Sequence, residues 1–192
     1  MKKLVLASKS PRRKALMALM RWPFEIFTTD ADESFDPSLA PGEVVGFLSR
    51  KKSEAVVAAY PGETHERITI GADTIVVIDG EILNKPASHS EAAAMLTKLQ
   101  GRTHEVYTGF TLIDGLKSLS DAEVTRVTFA RMSESEIDDY IRIAQPFDKA
   151  GGYGIQDDFG ACFIPKIDGC YYNVVGLPLS KLYHALRTFS ES

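Results

Sequence analysis

The chain has 192 residues, of which 44% are hydrophobic and 25% charged, and 22 Lys plus Arg stand against 26 Asp plus Glu for a formal net charge of −4. These are the values of an ordinary globular protein with one solid core, and they exclude disordered, collagen-like and coiled-coil chains. The small acidic excess speaks against a protein that wraps a nucleic-acid backbone, but a small anionic ligand needs only a few well-placed cations.

Met1-Lys2-Lys3 is followed only by Leu4-Val5-Leu6-Ala7, too short for a secretory core, and no apolar run reaches the roughly 20 residues of a membrane span. The expectation is a cytoplasmic protein with no membrane partner. Leu4–Ala7 reads as a buried strand. Ser10 then caps a helix with Pro11 at its first position, and Leu16, Leu19 and Met20 form its apolar face. Phe24–Phe27 predicts a second strand. A helix is expected from Glu43 to about Tyr60, with Val44, Phe47, Leu48, Ala55 and Val56 apolar, before Pro61-Gly62 ends it.

Ile68–Ile78 is β-branched and apolar, and Asp79-Gly80 turns it into Glu81-Ile82-Leu83. The same Ile-Asp-Gly signature recurs at 113–115 and 167–169, and Asp-Gly between apolar runs predicts a hairpin. At Asp168-Gly169 such a turn would set Cys170 opposite Ile167 and Cys162 opposite Val175. The two cysteines would not meet, so no disulfide is expected and a reducing compartment fits. A helix capped by Ser90 covers 90–100, with Met95, Leu96 and Leu99 inward and Gly101 as terminator. A strand carries Val124, Val127 and Phe129. Ser133 with Glu136 is a capping box for a helix through Ile137, Tyr140 and Ile141. Leu179, Leu182, Tyr183, Leu186 and Phe189 mark a last amphipathic helix. The order is mixed α/β, with no composition shift to mark a domain boundary.

Ser8-Lys9-Ser10-Pro11-Arg12-Arg13 joins a strand to a helix N-terminus, where free N–H groups and the dipole favour an anion. Two arginines there are locally unfavourable unless an anion compensates them; a solvated basic turn is the equal alternative. Asp73, in Gly71-Ala72-Asp73-Thr74, is costly to bury as a lone charge. It reads as a satisfied structural carboxylate, a metal ligand or a general base. Lys85 precedes Pro86 after the Asp79-Gly80 hairpin, and alone reads as a solvated loop residue. Lys52, among Arg50 and Lys51, reads as part of a solvated helical face. Asp148–Gln156 is too rich in glycine for a helix and lets backbone approach a ligand closely; it matches neither a P-loop nor a dinucleotide fingerprint. His65, His89, His104 and His184 lack ligand spacing, and neither His-Glu-x-x-His nor Gly-x-Ser-x-Gly occurs. Asp32, Glu33 and Asp73 suit a hard cation bridging phosphates.

Taken together the motifs resemble the Maf-like nucleoside triphosphate pyrophosphatase family. The segments are Leu6-Ala7-Ser8-x-Ser10-Pro11-Arg12-Arg13, Asp32-Glu33-Ser34, Gly71-Ala72-Asp73-Thr74, Lys85-Pro86, 101–109 (Gly-Arg-Thr-His-x-Val-Tyr-Thr-Gly), 148–156 (Asp-Lys-Ala-Gly-Gly-Tyr-Gly-Ile-Gln) and the stretch from Ile167 to Leu179. They run in the family's order along almost the whole chain. The resemblance implies one domain over 1–192, with two lobes around a central cleft and a long, bent, mixed β-sheet with flanking helices, related to inosine triphosphate pyrophosphatases. It implies cleavage between the α- and β-phosphates of a nucleoside triphosphate with a divalent cation, Mg or Mn. Gly154-Ile155-Gln156 resembles the dTTP/UTP branch. In the family's terms Asp73 accepts the proton; Glu33 and Asp73 are expected to hold the metal. Ser8, Arg12, Arg13, Lys52 and Lys85 bind phosphates, while Arg12, Thr74 and Gln156 set base choice. A homodimer fits as well, and a non-catalytic nucleotide-binding regulator of cell division is the alternative. Two departures stand out: Asp157 and Asp158 follow Gln156 where members commonly have Gly, and Lys51-Lys52-Ser53 stands where Glu-Lys-Ala is usual.

Overall fold

The computed structural model describes every residue except Met1, Leu116, Asp157, Asp158 and Ser192, and the side chain of Glu191. The apolar opening forms strand β1 (Lys3–Ala7), and helix α1 (Pro11–Leu19) follows with Ser10 as its cap. Next come β2 (Phe24–Ile26), α2 (Pro41–Ala59), and the hairpin of β3 (Arg67–Ile78) with β4 (Glu81–Leu83). The hairpin turn has positive φ at Asp79 (53°) and Gly80 (77°), as a type I′ turn requires. Helix α3 (His89–Leu99), β5 (Thr103–Asp114), β6 (Lys117–Thr128) and α4 (Glu134–Ala144) follow, then β7 (Lys166–Asp168), α5 (Tyr171–Val175) and α6 (Leu179–Glu191). The strands form one mixed sheet in the order β2-β1-β3-β5-β6-β7, with β4 on β3. β1 pairs parallel to both β2 and β3, whereas β3–β4 and β6–β7 are antiparallel. This is the mixed α/β sheet with flanking helices that the sequence led one to expect.

The chain divides into two compact units. The first holds Met1–Asp73, Thr108–Glu123 and Gly176–Ser192, and the second Thr74–Tyr107 and Val124–Val175. In the first, Val5, Ala7 and Val56 pack with Phe27 and Tyr60, so α2 lies against β1. Its close approach to the sheet depends on two glycines. A Cβ on Gly71 of β3 would come 2.3 Å from the Ser49 carbonyl and 2.4 Å from Ser53 Oγ; one on Gly109 of β5 would come 2.5 Å from the Val45 carbonyl. In the second unit, Val76, Leu96, Leu99, Val127, Ile137 and Ile141 belong to one core.

Several local expectations are corrected. Asp168-Gly169 does not make a hairpin: β7 pairs with β6, and the chain then enters α5 because the Cys170 N–H bonds to Thr125 Oγ1 (3.0 Å). Cys162 and Cys170 are nonetheless not joined by a disulfide, as expected. The 113–115 signature does turn the chain as expected, since β5 ends at Asp114 and neighbours β6, and the buried Asp114 accepts two bonds from Lys2 Nζ. The cap of α3 is Ser88, whose extended backbone (φ −148°, ψ 165°) lets Oγ accept the Glu91 N–H; Ser90 is already helical. On α1 the inward residues are Leu16 and Met17, and Leu19 is 59% exposed at the helix end. Phe47 and Val124 are also exposed. No described helix is long and apolar enough to cross a membrane.

Candidate active site

The loop from β1 to α1 is shaped by its own serines. Ser10 Oγ caps the helix through the Arg13 N–H (3.4 Å), and Ser8 Oγ accepts the Ser10 N–H (3.2 Å). Ser8 is buried. The first turn of α1 has no acidic residue to meet the helix dipole, so Arg12 and Arg13 sit where positive charge is locally disfavoured. Arg13 is fixed by Nε donating to the Gly176 carbonyl (2.8 Å), with one guanidinium nitrogen 3.5 Å from Ser8 Oγ. Burial lowers its pKa, while attraction from Asp73 and Glu33 opposes that shift. The same interaction places Arg13 within the field of both carboxylates.

Asp73 is 8% exposed on β3. Its Oδ1 lies 2.5 Å from Lys52 Nζ, and Glu33 Oε1 lies 2.8 Å from the same nitrogen. Lys52 projects from α2, whose tight seating on Gly71 brings it to this strand. One cation thus gathers two hard carboxylates beside an arginine at a helix N-terminus. Lys51 does not share in this: it pairs with Asp32 (2.8 Å) and bonds to the Ser34 carbonyl. Hydrogen bonds from Lys51 and Ser34 hold the Asp32 carboxyl well below the usual range.

The remaining predicted residues lie in the second unit. Thr74 follows Asp73 on β3 and is half-buried. Lys85 is exposed, on the rim of a pocket of about 370 Å³ that also involves Glu81, Asn84, Glu91 and Lys98. Gln156 is exposed in a turn, and Asp157 and Asp158 lie outside the described residues. Ser8, Arg13, Glu33, Lys52 and Asp73 are therefore gathered in one unit, next to Arg12 along the chain. Sequence reasoning passed over Gly71 and Gly109 as the seats of α2, and over His104 as a buried hydrogen-bonding residue. A glycine inside a strand signals a close backbone approach, but not what approaches.

Among the described residues, no group of three or more His, Cys, Asp and Glu forms a metal cage. The pair Glu33 and Asp73 still suits Mg²⁺, a hard cation commonly held by one or two carboxylates together with substrate phosphates and waters. Their convergence on the Lys52 ammonium shows that both can face one positive centre.

The family model described as Maf-like protein matches residues 3–189. The chain belongs to the Maf family. A Maf relative from Chlorobaculum parvum, named dTTP/UTP pyrophosphatase, is 50% identical over 97% of this chain and 94% of its own length. Relatives of the same name from Chlorobaculum tepidum and Bacillus cytotoxicus are 48% and 47% identical over 97% and 100% of the chain, and over 94% and 97% of their own lengths. Among solved structures, the Staphylococcus aureus Ham1 protein aligns over 67% of this Maf chain and 72% of its own, at TM-score 0.43 and 16% identity.

Proposed function

We propose that this chain hydrolyses dTTP and UTP to the nucleoside monophosphate and pyrophosphate, with Mg²⁺ or Mn²⁺. The observation that carries the reading is the convergence of Asp73 and Glu33 on Lys52, within the field of Arg13. The names of the relatives supply the substrates.

Ser8, Arg12, Arg13, Lys52 and Lys85 bind the triphosphate oxygens; the arginines offer planar, multiple donors and the lysines compact charge. Glu33 and Asp73 hold the metal, which when bound polarises the phosphoryl group and offsets charge on the leaving pyrophosphate. Asp73 takes a proton from water as the water oxygen bonds to the α-phosphorus. The bond from that phosphorus to the α–β bridging oxygen breaks, and pyrophosphate leaves with the oxygen. Arg13 and Lys52 disperse the charge that builds on the phosphate oxygens. Thr74 and Gln156 hydrogen-bond the pyrimidine edge, with Arg12 contributing to base choice. The protein works in the cytoplasm as a homodimer; cysteines not joined by a disulfide fit a reducing compartment.

The test is pyrophosphate release from each natural nucleoside triphosphate, with and without Mg²⁺. Metal-dependent release from dTTP and UTP is expected. Binding without release from any of them would favour the non-catalytic regulator instead.

A further inference from the structure

The segment Gly151–Gly154, just before Gln156, is tied down by its own unit. The Gly151 N–H donates to the Asn84 carbonyl (3.1 Å), and the Gly154 N–H to the Tyr140 hydroxyl (3.0 Å). Between them the Tyr153 hydroxyl shares a hydrogen bond with His104 Nε2 (2.7 Å). The Tyr153 ring also packs edge-on against His104 and Phe129. Gly151 adopts φ 70° with Val76 so close that an added Cβ would meet it at 3.0 Å. These contacts hold the backbone as far as Gly154, and the buried Ile155 leads from there to the exposed Gln156.

His104 is 2% exposed, and its Nδ1 has no hydrogen-bond partner. An apolar ring would fill this place without orphaning a buried nitrogen. A local rule broken in this way is expected where function constrains the residue. Burial lowers the His104 pKa to about 4 and raises that of Tyr153, so the bond is between neutral groups at neutral pH.

We propose that His104, Tyr153 and Tyr140 form a clasp that positions Gln156 and thereby sets the base preference of the enzyme. They are positioning residues, and the inference rests on Gln156 contacting the base. A side-chain amide discriminates between bases only when its donor and acceptor are aimed at the right ring atoms. A small displacement loses those bonds while the triphosphate contacts persist.

UTP and CTP test this, because they share the triphosphate and ribose and differ only on the base edge, where O4 and N3–H of uracil become the amino group and the bare N3 of cytosine. The full chain is compared with Tyr153→Phe, Tyr140→Phe and Gln156→Ala, each confirmed as folded by its thermal melt. Gln156→Ala should lower the UTP:CTP ratio of kcat/KM by about 10²-fold. Each tyrosine variant should lower it by about 10-fold, through a raised KM for UTP, with the CTP constants within about 2-fold of wild type. A purely structural role would weaken both substrates alike and keep the ratio. If Gln156→Ala lowers the ratio and both tyrosine variants leave it unchanged, the clasp is overturned and the reading of Gln156 stands. An unchanged ratio in Gln156→Ala overturns that reading, and the clasp with it.

Discussion

Lys52 touches both Glu33 and Asp73, so each carboxylate keeps a partner in the folded chain. Asp73→Asn preserves size and folding but removes both the proton acceptor and the charge. Turnover of dTTP should fall by at least ~10². Near-normal turnover with an unchanged melting temperature would remove Asp73 from its role. His104 yields a prediction about pH. Its folded pKa is about 4, against an ordinary 6.5. Between those values the unfolded chain binds a proton that the folded chain refuses. The residue's contribution to stability is therefore full above pH ~6.5 and fades as pH falls toward ~4, by about 3 kcal/mol at most. Urea unfolding at pH 7.5 and 4.5 checks it: wild type should lose about 2–3 kcal/mol more than His104→Asn. Equal losses would show that burial does not hold this imidazole neutral.

At the scale of elements, the position of α2 decides whether Lys52 can reach Asp73. Gly71→Ala puts a methyl group against the Ser49 carbonyl and Ser53 Oγ, so helix or strand must move. A cost of about 1–3 kcal/mol in urea unfolding follows, together with a fall in kcat/KM as the Lys52–Asp73 contact opens. Gly46→Ala on the same helix is the control. It meets nothing within 4 Å, and helix propensity predicts a gain of about 0.5–1 kcal/mol. Should both variants behave alike, close seating of α2 does not hold the site. Elements whose signals are local were legible in the sequence. The Asp79-Gly80 turn and the Ser133–Glu136 capping box appear as read, because a few neighbouring residues complete them. The Asp168-Gly169 turn failed because distant Thr125 captures the Cys170 N–H, and no short window of sequence contains that partner. The seats for α2 were hidden for the same reason, since Gly71 and Gly109 meet α2 residues distant from them in the chain.

For the whole molecule, a net charge of −4 averages over a site in which Arg13 and Lys52 face Glu33 and Asp73. Residues 33, 52 and 73 are too far apart in the chain for spacing to unite them. Before folding, only the family's ordered motifs linked them, and Lys52 by itself read as solvated surface. A site built from segments this distant ties ligand binding to global stability, because unfolding scatters its parts. Saturation with a non-hydrolysable UTP analogue at about 100 times its Kd should stabilise the fold by about 2.7 kcal/mol. For a chain of this length that is a rise of roughly 5–10 °C in melting temperature. Mg²⁺ should be needed for most of the rise, and Glu33→Gln should lose the metal-dependent part while keeping the metal-free part. The cations would still hold the phosphates, but one of the two carboxylates facing the metal would be gone. A shift in Glu33→Gln equal to wild type, at matched analogue and metal concentrations, would show that Glu33 neutralises Lys52 and holds no metal.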